Sequence, residues 1–329
     1  MRTNESIEQL GLLSRLRRGT ELLIRRTIYP YIKLPYHRLL IWRMKRRISR
    51  LGEKAVVVGH FVKRFGYAPD LDRPRTFNEK LAWIKLNVRD PLMTLCADKF
   101  ALRDYVKGRV GEKYLIPLLG VYERPEDIPF DDLLAPFVLK VNHASGGNVF
   151  CLDKHSFNQK RAIRILRHHL KINAYYYDCE WPYRDIAPRI VCERILFEEG
   201  SRLARDFKCL CFNGEPLVIE VDVDRYGEHR ENYYDENWKF VPVVQGYPNT
   251  KVDIPRPERF EEMKQVARAL SQPFDFARID LYSIHGKVYV GEITFFPGGG
   301  SIPFEPEEYE LEYGERIHLA GLSAKKTAT

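Results

Sequence analysis

An α+β fold dominated by antiparallel ribbons is predicted for this chain by two hairpin cues and two amphipathic helices. The strand-like runs Phe207 to Asn213 and Pro216 to Asp224 flank Asn213-Gly214, and Ala277 to Ser283 and Lys287 to Phe296 flank His285-Gly286. Ser156 followed by Gln159 reads as a capping box opening a helix to Lys171, in which Ala162, Leu166 and Leu170 recur every four residues. Phe260, Met263, Val266, Ala267 and Leu270 define a second amphipathic helix that stops near Pro273. Strands grouped in hairpins, not alternating singly with helices, exclude a run of βαβ units.

A chain of 329 residues with 44% hydrophobic and 30% charged residues can bury a sizeable core, which excludes a largely disordered protein. Its net charge of +8 is unevenly placed. Residues 1–50 hold 13 Lys/Arg against 3 Asp/Glu, which leaves 40 basic and 42 acidic side chains in the rest. A near-neutral body is a poor phosphate-tracking surface, so a nucleic-acid partner is not expected. In the basic leader Leu12, Leu13, Leu16, Leu23, Ile24, Leu39, Leu40, Ile41, Trp42 and Met44 are interleaved with arginines and lysines. That mixture suits a helix on an anionic cytoplasmic membrane face, with Tyr29, Tyr31, Tyr36 and Trp42 at headgroup level. It equally suits a helical layer packed on the body with its arginines in water. The most apolar stretch, Leu22 to Met44, is interrupted by Arg25, Arg26, Lys33, Arg38 and Arg43 and broken by Pro30 and Pro35, so no membrane-spanning helix and no signal peptide is expected. Six cysteines with no zinc-like or disulfide-framework spacing point to a reduced, cytoplasmic setting, with Cys209 and Cys211 as small buried apolar residues.

The last hairpin concentrates the chemistry. Strand alternation puts Arg278, Asp280 and Tyr282 on one face, and Val288, Val290, Glu292 and Thr294 on one face of the returning strand. A three-residue loop would set Asp280 opposite Glu292 with Cβ atoms ~5 Å apart. Two carboxylates so close need a cation between them, and hard oxygen donors suit Mg²⁺, which keeps positions for water and nucleotide phosphate. Arg278 would then point at the same phosphates. The competing reading is an Arg278–Glu292 ion pair on a solvated sheet face.

Upstream, Lys140 interrupts the apolar strand Phe137 to Val141, and Ser145-Gly146-Gly147-Asn148 follows it. A lysine in an apolar strand is costly to bury without an anion, and the glycines allow backbone N–H groups to converge on phosphate oxygens. No Walker A loop and no GxGxxG after a strand are present, which excludes P-loop and Rossmann sites. His143 reads as a hydrogen-bonded turn residue, and without HExxH or GxSxG neither a zinc protease nor an α/β-hydrolase is supported.

These features, in this order, resemble the ATP-grasp superfamily, and within it the teichuronopeptide-biosynthesis branch associated with capsule and cell-wall polysaccharides. The resemblance runs from about Thr76 to Gly314. It rests on Thr76-Phe77-Asn78-Glu79-Lys80-Leu81, Asp98-Lys99, the Lys140 strand with its glycine turn, Pro188 to Leu196, Asp206-Phe207-Lys208 with Phe212-Asn213-Gly214, Arg278 to Tyr282, and Gly291 to Phe295. It implies an ATP-grasp fold, two antiparallel-sheet lobes with nucleotide between them, preceded by the basic helical leader. The expected organisation is a leader over 1–50, an N-terminal helical and α+β part over 51–135, the lobes over 136–320 and a tail over 321–329.

Carried over residue by residue, the resemblance implies that Lys99, Lys140 and Lys208 contact the nucleotide and that Ser145, Gly146 and Gly147 close over its phosphates. Glu193, Arg194, Ile195 and Leu196 would edge the adenine as a hinge. Asp280, Glu292 and Thr294 would hold Mg²⁺, with Lys140 and Arg278 near the transferred phosphoryl group; Thr294 departs from the asparagine common in the superfamily. Asp206, Lys208, Arg225, His229, Arg230 and Asn232 form a polar group of unassigned role. The implied activity is that of an ATP-dependent carboxylate-amine ligase working through an acyl phosphate, joining a uronic acid or amino acid carboxylate of a glycan to an amino acid or amino sugar. A sugar kinase on the same fold, or a non-catalytic nucleotide-binding module with a basic leader, are the alternatives.

Overall fold

The computed structural model describes residues 39–198, 203–224 and 227–320. The leader residues before 39, the tail 321–329 and Arg225 lie outside the described residues. Helix α1 covers residues 39–51, followed by α2 (Glu53–Phe65), α3 (Phe77–Asn87), α4 (Pro91–Ala97) and α5 (Leu102–Arg109). Strands β1 (Leu118–Tyr122), β2 (Phe137–Val141), β3 (Val149–Cys151) and β4 (Ile190–Arg194) form an antiparallel sheet in the order β1-β4-β2-β3. Helices α6 (Gln159–His169) and α7 (Tyr175–Asp178) lie between β3 and β4. After Arg194 the chain crosses to a second antiparallel sheet, ordered β10-β9-β5-β6-β7-β8. Its members are β5 (Phe207–Phe212), β6 (Glu215–Val223), β7 (Arg230–Asp235), β8 (Phe240–Val241), β9 (Phe276–Ile284) and β10 (Lys287–Thr294). Helices α8 (Phe260–Ser271) and α9 (Glu308–Glu315) complete the chain.

Each sheet has its own apolar core. Ala162, Ile165 and Leu166 of α6 cover Phe137, Leu139 and Cys192 of the four-stranded sheet. Met263, Val266, Ala267 and Leu270 of α8 cover Cys209, Cys211, Ile219 and Ile279 of the six-stranded one, so both cysteines are small core residues and all six thiols are free. The helix expected from Ser156 starts later: Asn158 is the cap, its side chain accepting from the Arg161 N–H, while Ser156 ends a short 3₁₀ turn. Asparagine in extended backbone caps as well as serine does, so the expected capping box is absent.

Helix α3 ties the N-terminal layer to the large sheet. Thr76 and Glu79 form a capping box, and Glu79 also accepts from the N–H groups of Asp70 and Arg75. Asn78 is fully buried and donates to Glu310 of α9 at 2.6 Å, while Lys80 Nζ donates to the carbonyls of Gly314 and Ile317. Helix α1 packs Met44 and Ile48 on this core and leaves Leu39, Trp42 and Leu51 45%, 50% and 57% exposed.

Both predicted hairpins exist, with tighter turns than the site needs. His285 and Gly286 at φ 49° and 70° make a two-residue turn, so Lys287 stands opposite Ile284 and Val290 opposite Leu281. Continued unbroken, that register would leave Glu292 on the face away from Asp280. A bulge at Gly291 shifts it by one residue, and Glu292 then faces Asp280 and Thr294 faces Arg278. The three-residue loop is therefore corrected to a two-residue turn plus a bulge, and Val288 and Val290 lie on the face opposite to Glu292 and Thr294. A second bulge between Leu210 and Cys211 in the β5–β6 register sets Lys208 opposite Glu220 in the same manner.

A Cβ on Gly291 would stand 2.9 Å from Tyr282 Cε2 and 3.3 Å from the Asp280 carbonyl oxygen. Gly291→Ala should therefore cost about 1–3 kcal/mol, read as a lowered urea midpoint. An unchanged midpoint would show that the bulge accepts a side chain.

Candidate active site

One polar row crosses the six-stranded sheet. Glu292 of β10 faces Asp280 of β9, Asp280 faces Lys208 of β5, and Lys208 faces Glu220 of β6. Arg278, two residues from Asp280 on the same face, clamps that carboxylate with both forks at 2.7 and 2.8 Å. The same guanidinium reaches Glu292 at 3.6 Å and the Thr294 hydroxyl at 3.5 Å, and that hydroxyl donates to Glu292 at 3.5 Å. The solvated Arg278–Glu292 pair considered from sequence is thus corrected: Arg278 is largely buried and bonds Asp280 first. Burial raises Asp280 to about 7, against the pull of Arg278 and with the push of Glu292.

Lys99 joins the two sheets. Asp98 accepts from the N–H groups of Phe100 and Ala101 and from the Asn142 side chain, while the Lys99 N–H donates to the Asn142 carbonyl. So anchored, the Lys99 ammonium lies 3.1 Å from Glu292 and 3.3 Å from the Ala144 carbonyl. Arg278, Asp280, Glu292, Thr294 and Lys99 therefore form one contact network.

Lys140 heads a second one. Its ammonium is 3.1 Å from Glu193 on the neighbouring strand β4, and Arg103 reaches the other Glu193 oxygen at 3.4 Å. Burial alone would pull Lys140 down, but Glu193 beside it, with Glu292 acting through space, raises it. The lysine expected to be expensive inside an apolar strand thus has its anion. Ser145 and Gly146 are exposed in the turn after β2, with Gly146 and Gly147 at φ 81° and 69°. Gly147 lies against His169, whose ring would meet a Cβ at 2.4 Å. Arg194 is exposed at the end of β4 with its N–H on the Pro117 carbonyl; Ile195 is buried and the Leu196 carbonyl accepts from Ala204. His143 is a buried turn residue bonded to the Ile172 carbonyl at 2.7 Å, and burial lowers it.

Lys208 belongs to a third group. Its ammonium is bonded to Glu220, lies 2.8 Å from Asp222 and 3.9 Å from Glu231; burial pulls it down, but Glu220 and Asp222 raise it. His229 joins Asp222 at 3.0 Å. Of the unassigned polar residues, Asn232 accepts from the Thr250 N–H and donates to Tyr234, and Arg230 pairs with Glu228. The sequence reading missed Arg103, Glu220, Asp222 and Glu231. Glu220 and Asp222 alternate on the strand paired with Lys208, a pairing hidden by the bulge between Leu210 and Cys211. The loop Pro297 to Ser301 is a built left-handed turn, its Gly299 carbonyl held by buried Lys85.

The donor set fits a divalent cation: Asp280, Glu292 and Thr294 offer hard oxygens from adjacent strands. The family model described as TupA-like ATPgrasp matches residues 79–318, and the chain belongs to that family. Among solved structures it is similar to the D-alanine–D-alanine ligase of Bacillus anthracis, at 18% identity over 71% of this chain and 70% of that one, with a TM-score of 0.41. The D-alanine–D-alanine ligase of Helicobacter pylori follows at 15% identity, 74% and 69% coverage and a TM-score of 0.39. The L-amino acid ligase of Bacillus licheniformis stands at 17% identity, 67% and 46% coverage and 0.38. No curated protein matches the chain in sequence.

A carboxylate must be ionised to hold a cation, so if Asp280 holds one, protons would compete for it below about pH 7. The apparent Kd for Mg²⁺ in the presence of ATP should rise, by up to about tenfold per unit, as pH falls from 7 to 5.5 and stay level above 7.5. Isothermal titration across that range checks it, and a level response down to pH 5.5 would show an unshifted carboxyl.

Proposed function

We propose that this protein is an ATP-dependent carboxylate-amine ligase that forms an acyl phosphate, acting on a uronic acid of a capsular or cell-wall glycan and an amino acid or amino sugar. The reading is carried by one observation: Asp280 and Glu292 face each other in a buried sheet, bracketed by Arg278 and Lys99. That arrangement has no use in a solvated sheet and suits a triphosphate with its cation.

ATP is placed between the sheets. Lys99 and Lys140 hold its phosphates from the small sheet's side, and backbone N–H groups of Ser145, Gly146 and Gly147 cover the terminal ones. Glu193, Arg194, Ile195 and Leu196 border the adenine where the chain crosses between sheets. Asp280, Glu292 and Thr294 hold Mg²⁺, which when bound neutralises charge on the phosphate oxygens. Arg278 leaves Asp280 for the transferred group and stabilises its developing charge. A carboxylate oxygen of the acceptor attacks the γ phosphorus and ADP departs. The amine then attacks the acyl carbon, phosphate leaves, and the amine nitrogen loses its proton. No protein nucleophile is required.

Hydroxylamine trapping tests this reading. With ATP, Mg²⁺, hydroxylamine and either galacturonate or free amino acids, the enzyme should release ADP and phosphate and give a hydroxamate. Asp280→Asn and Lys140→Ala should lose about 10²–10³ of that rate, and His143→Ala far less. A stable phosphosugar formed without hydroxamate would establish a kinase instead.

The exposed Leu39, Trp42 and Leu51 of α1, among Arg43, Arg46, Arg47 and Arg50, further support residence at the anionic inner face of the cytoplasmic membrane. The protein should sediment with phosphatidylglycerol vesicles and not with phosphatidylcholine ones, and Trp42→Ala should weaken that binding. Equal recovery with both lipids would refute it.

A further inference from the structure

We propose that His229, oriented by Asp222, is the general base that takes the proton from the attacking amine, an inference resting on the ligase reading above. An amine arrives as an ammonium at neutral pH and is no nucleophile until it loses a proton. The charged groups in contact with the proposed metal carboxylates cannot accept it: Lys99 and Arg278 are cations, while Asp280 and Glu292 are engaged by them. Among the described residues, His229 offers an imidazole beside that polar row, against Asp222 and Glu231 next to Lys208.

Its Nε2 is 3.0 Å from Asp222 Oδ1, and its ring stacks on Tyr247 with centroids 3.8 Å apart. The carboxylate fixes the tautomer and supports the imidazolium formed on protonation, leaving Nδ1 as the acceptor. The charged groups around the ring come from three strands: Lys208 of β5, Asp222 of β6 and Glu231 of β7, the last 3.7 Å from Nε2. Burial, with the nearby Glu220 carboxylate, raises Glu231, and Asp222 is the carboxylate nearer to Nε2, at 3.0 Å against 3.7 Å. Asp280 faces Lys208 and Lys208 faces Glu220, so Asp222, two residues farther along β6, lies two strands across and one repeat along from Asp280, roughly 12 Å, a separation that a phosphoryl group, an acyl carbon and an amine nitrogen would span. Asp222, His229 and Glu231 also bring their ligand atoms within 4.8 Å, as a metal would require. Lys208, 2.8 Å from the shared Asp222 oxygen, already supplies the cation there.

The test compares two nucleophiles. Hydroxylamine is uncharged at neutral pH and needs no base before attack, whereas an amino acid does. In His229→Gln, hydroxamate formation should match the wild type, while ATP-dependent amide formation with a panel of amino acids falls about 10²–10⁴-fold. Asp222→Asn should lower the amide rate selectively too. An unchanged amide rate in His229→Gln overturns the proposal. So does an equal fall in both rates, which marks a role in phosphoryl transfer or folding. Zn²⁺ binding to Asp280→Ala that is lost on adding His229→Gln overturns it in favour of a metal site. If wild type yields no hydroxamate from any carboxylate, the ligase reading fails and takes this proposal with it.

Discussion

Mutual repulsion between Asp280 and Glu292 is the constraint around which the site is arranged. Two carboxylates directly opposite in adjacent strands destabilise a sheet unless cations intervene. Arg278 and Lys99 intervene here, one from the same sheet and one from the segment joining α4 to α5. Removing one member of such a buried set leaves a charge uncompensated and costs about 3–5 kcal/mol. The protein's own cations stand where metal and phosphate are proposed to act, so binding would exchange one set of counter-charges for another.

The same logic repeats in the other two groups. Lys140 balances Glu193 with Arg103, and Lys208 balances Glu220, Asp222 and Glu231. Every lysine singled out as a nucleotide contact therefore holds a carboxylate in this structure.

Much of the fold was legible from periodicity and turn residues. The turns at Asn213-Gly214 and His285-Gly286, helix α8 and the core positions of Cys209 and Cys211 follow from local preferences acting over a few residues. The site was legible in composition and less so in register. Asp280 and Glu292 were paired by assuming a longer loop, whereas the chain makes the tightest turn and inserts a bulge at Gly291. A bulge is set by what packs on either side of a strand, and alternation read along one strand does not report it. The missed carboxylates of β6 share that cause, since a bulge sets Glu220 opposite Lys208, whereas Glu231 of β7 meets Asp222 in a regular register that no single strand reports.

Residue types and their order determined the family, the ribbon-rich fold class and the list of groups able to hold phosphate and a divalent ion. Pairing decided which of those groups meet: Lys99 with Glu292 across sheets, Lys140 with Glu193 across strands, and His229 with Asp222 across a turn. The physical reason is that hydrogen-bonding and φ/ψ preferences act between chain neighbours, while charge compensation acts between groups brought together only when both sheets have formed.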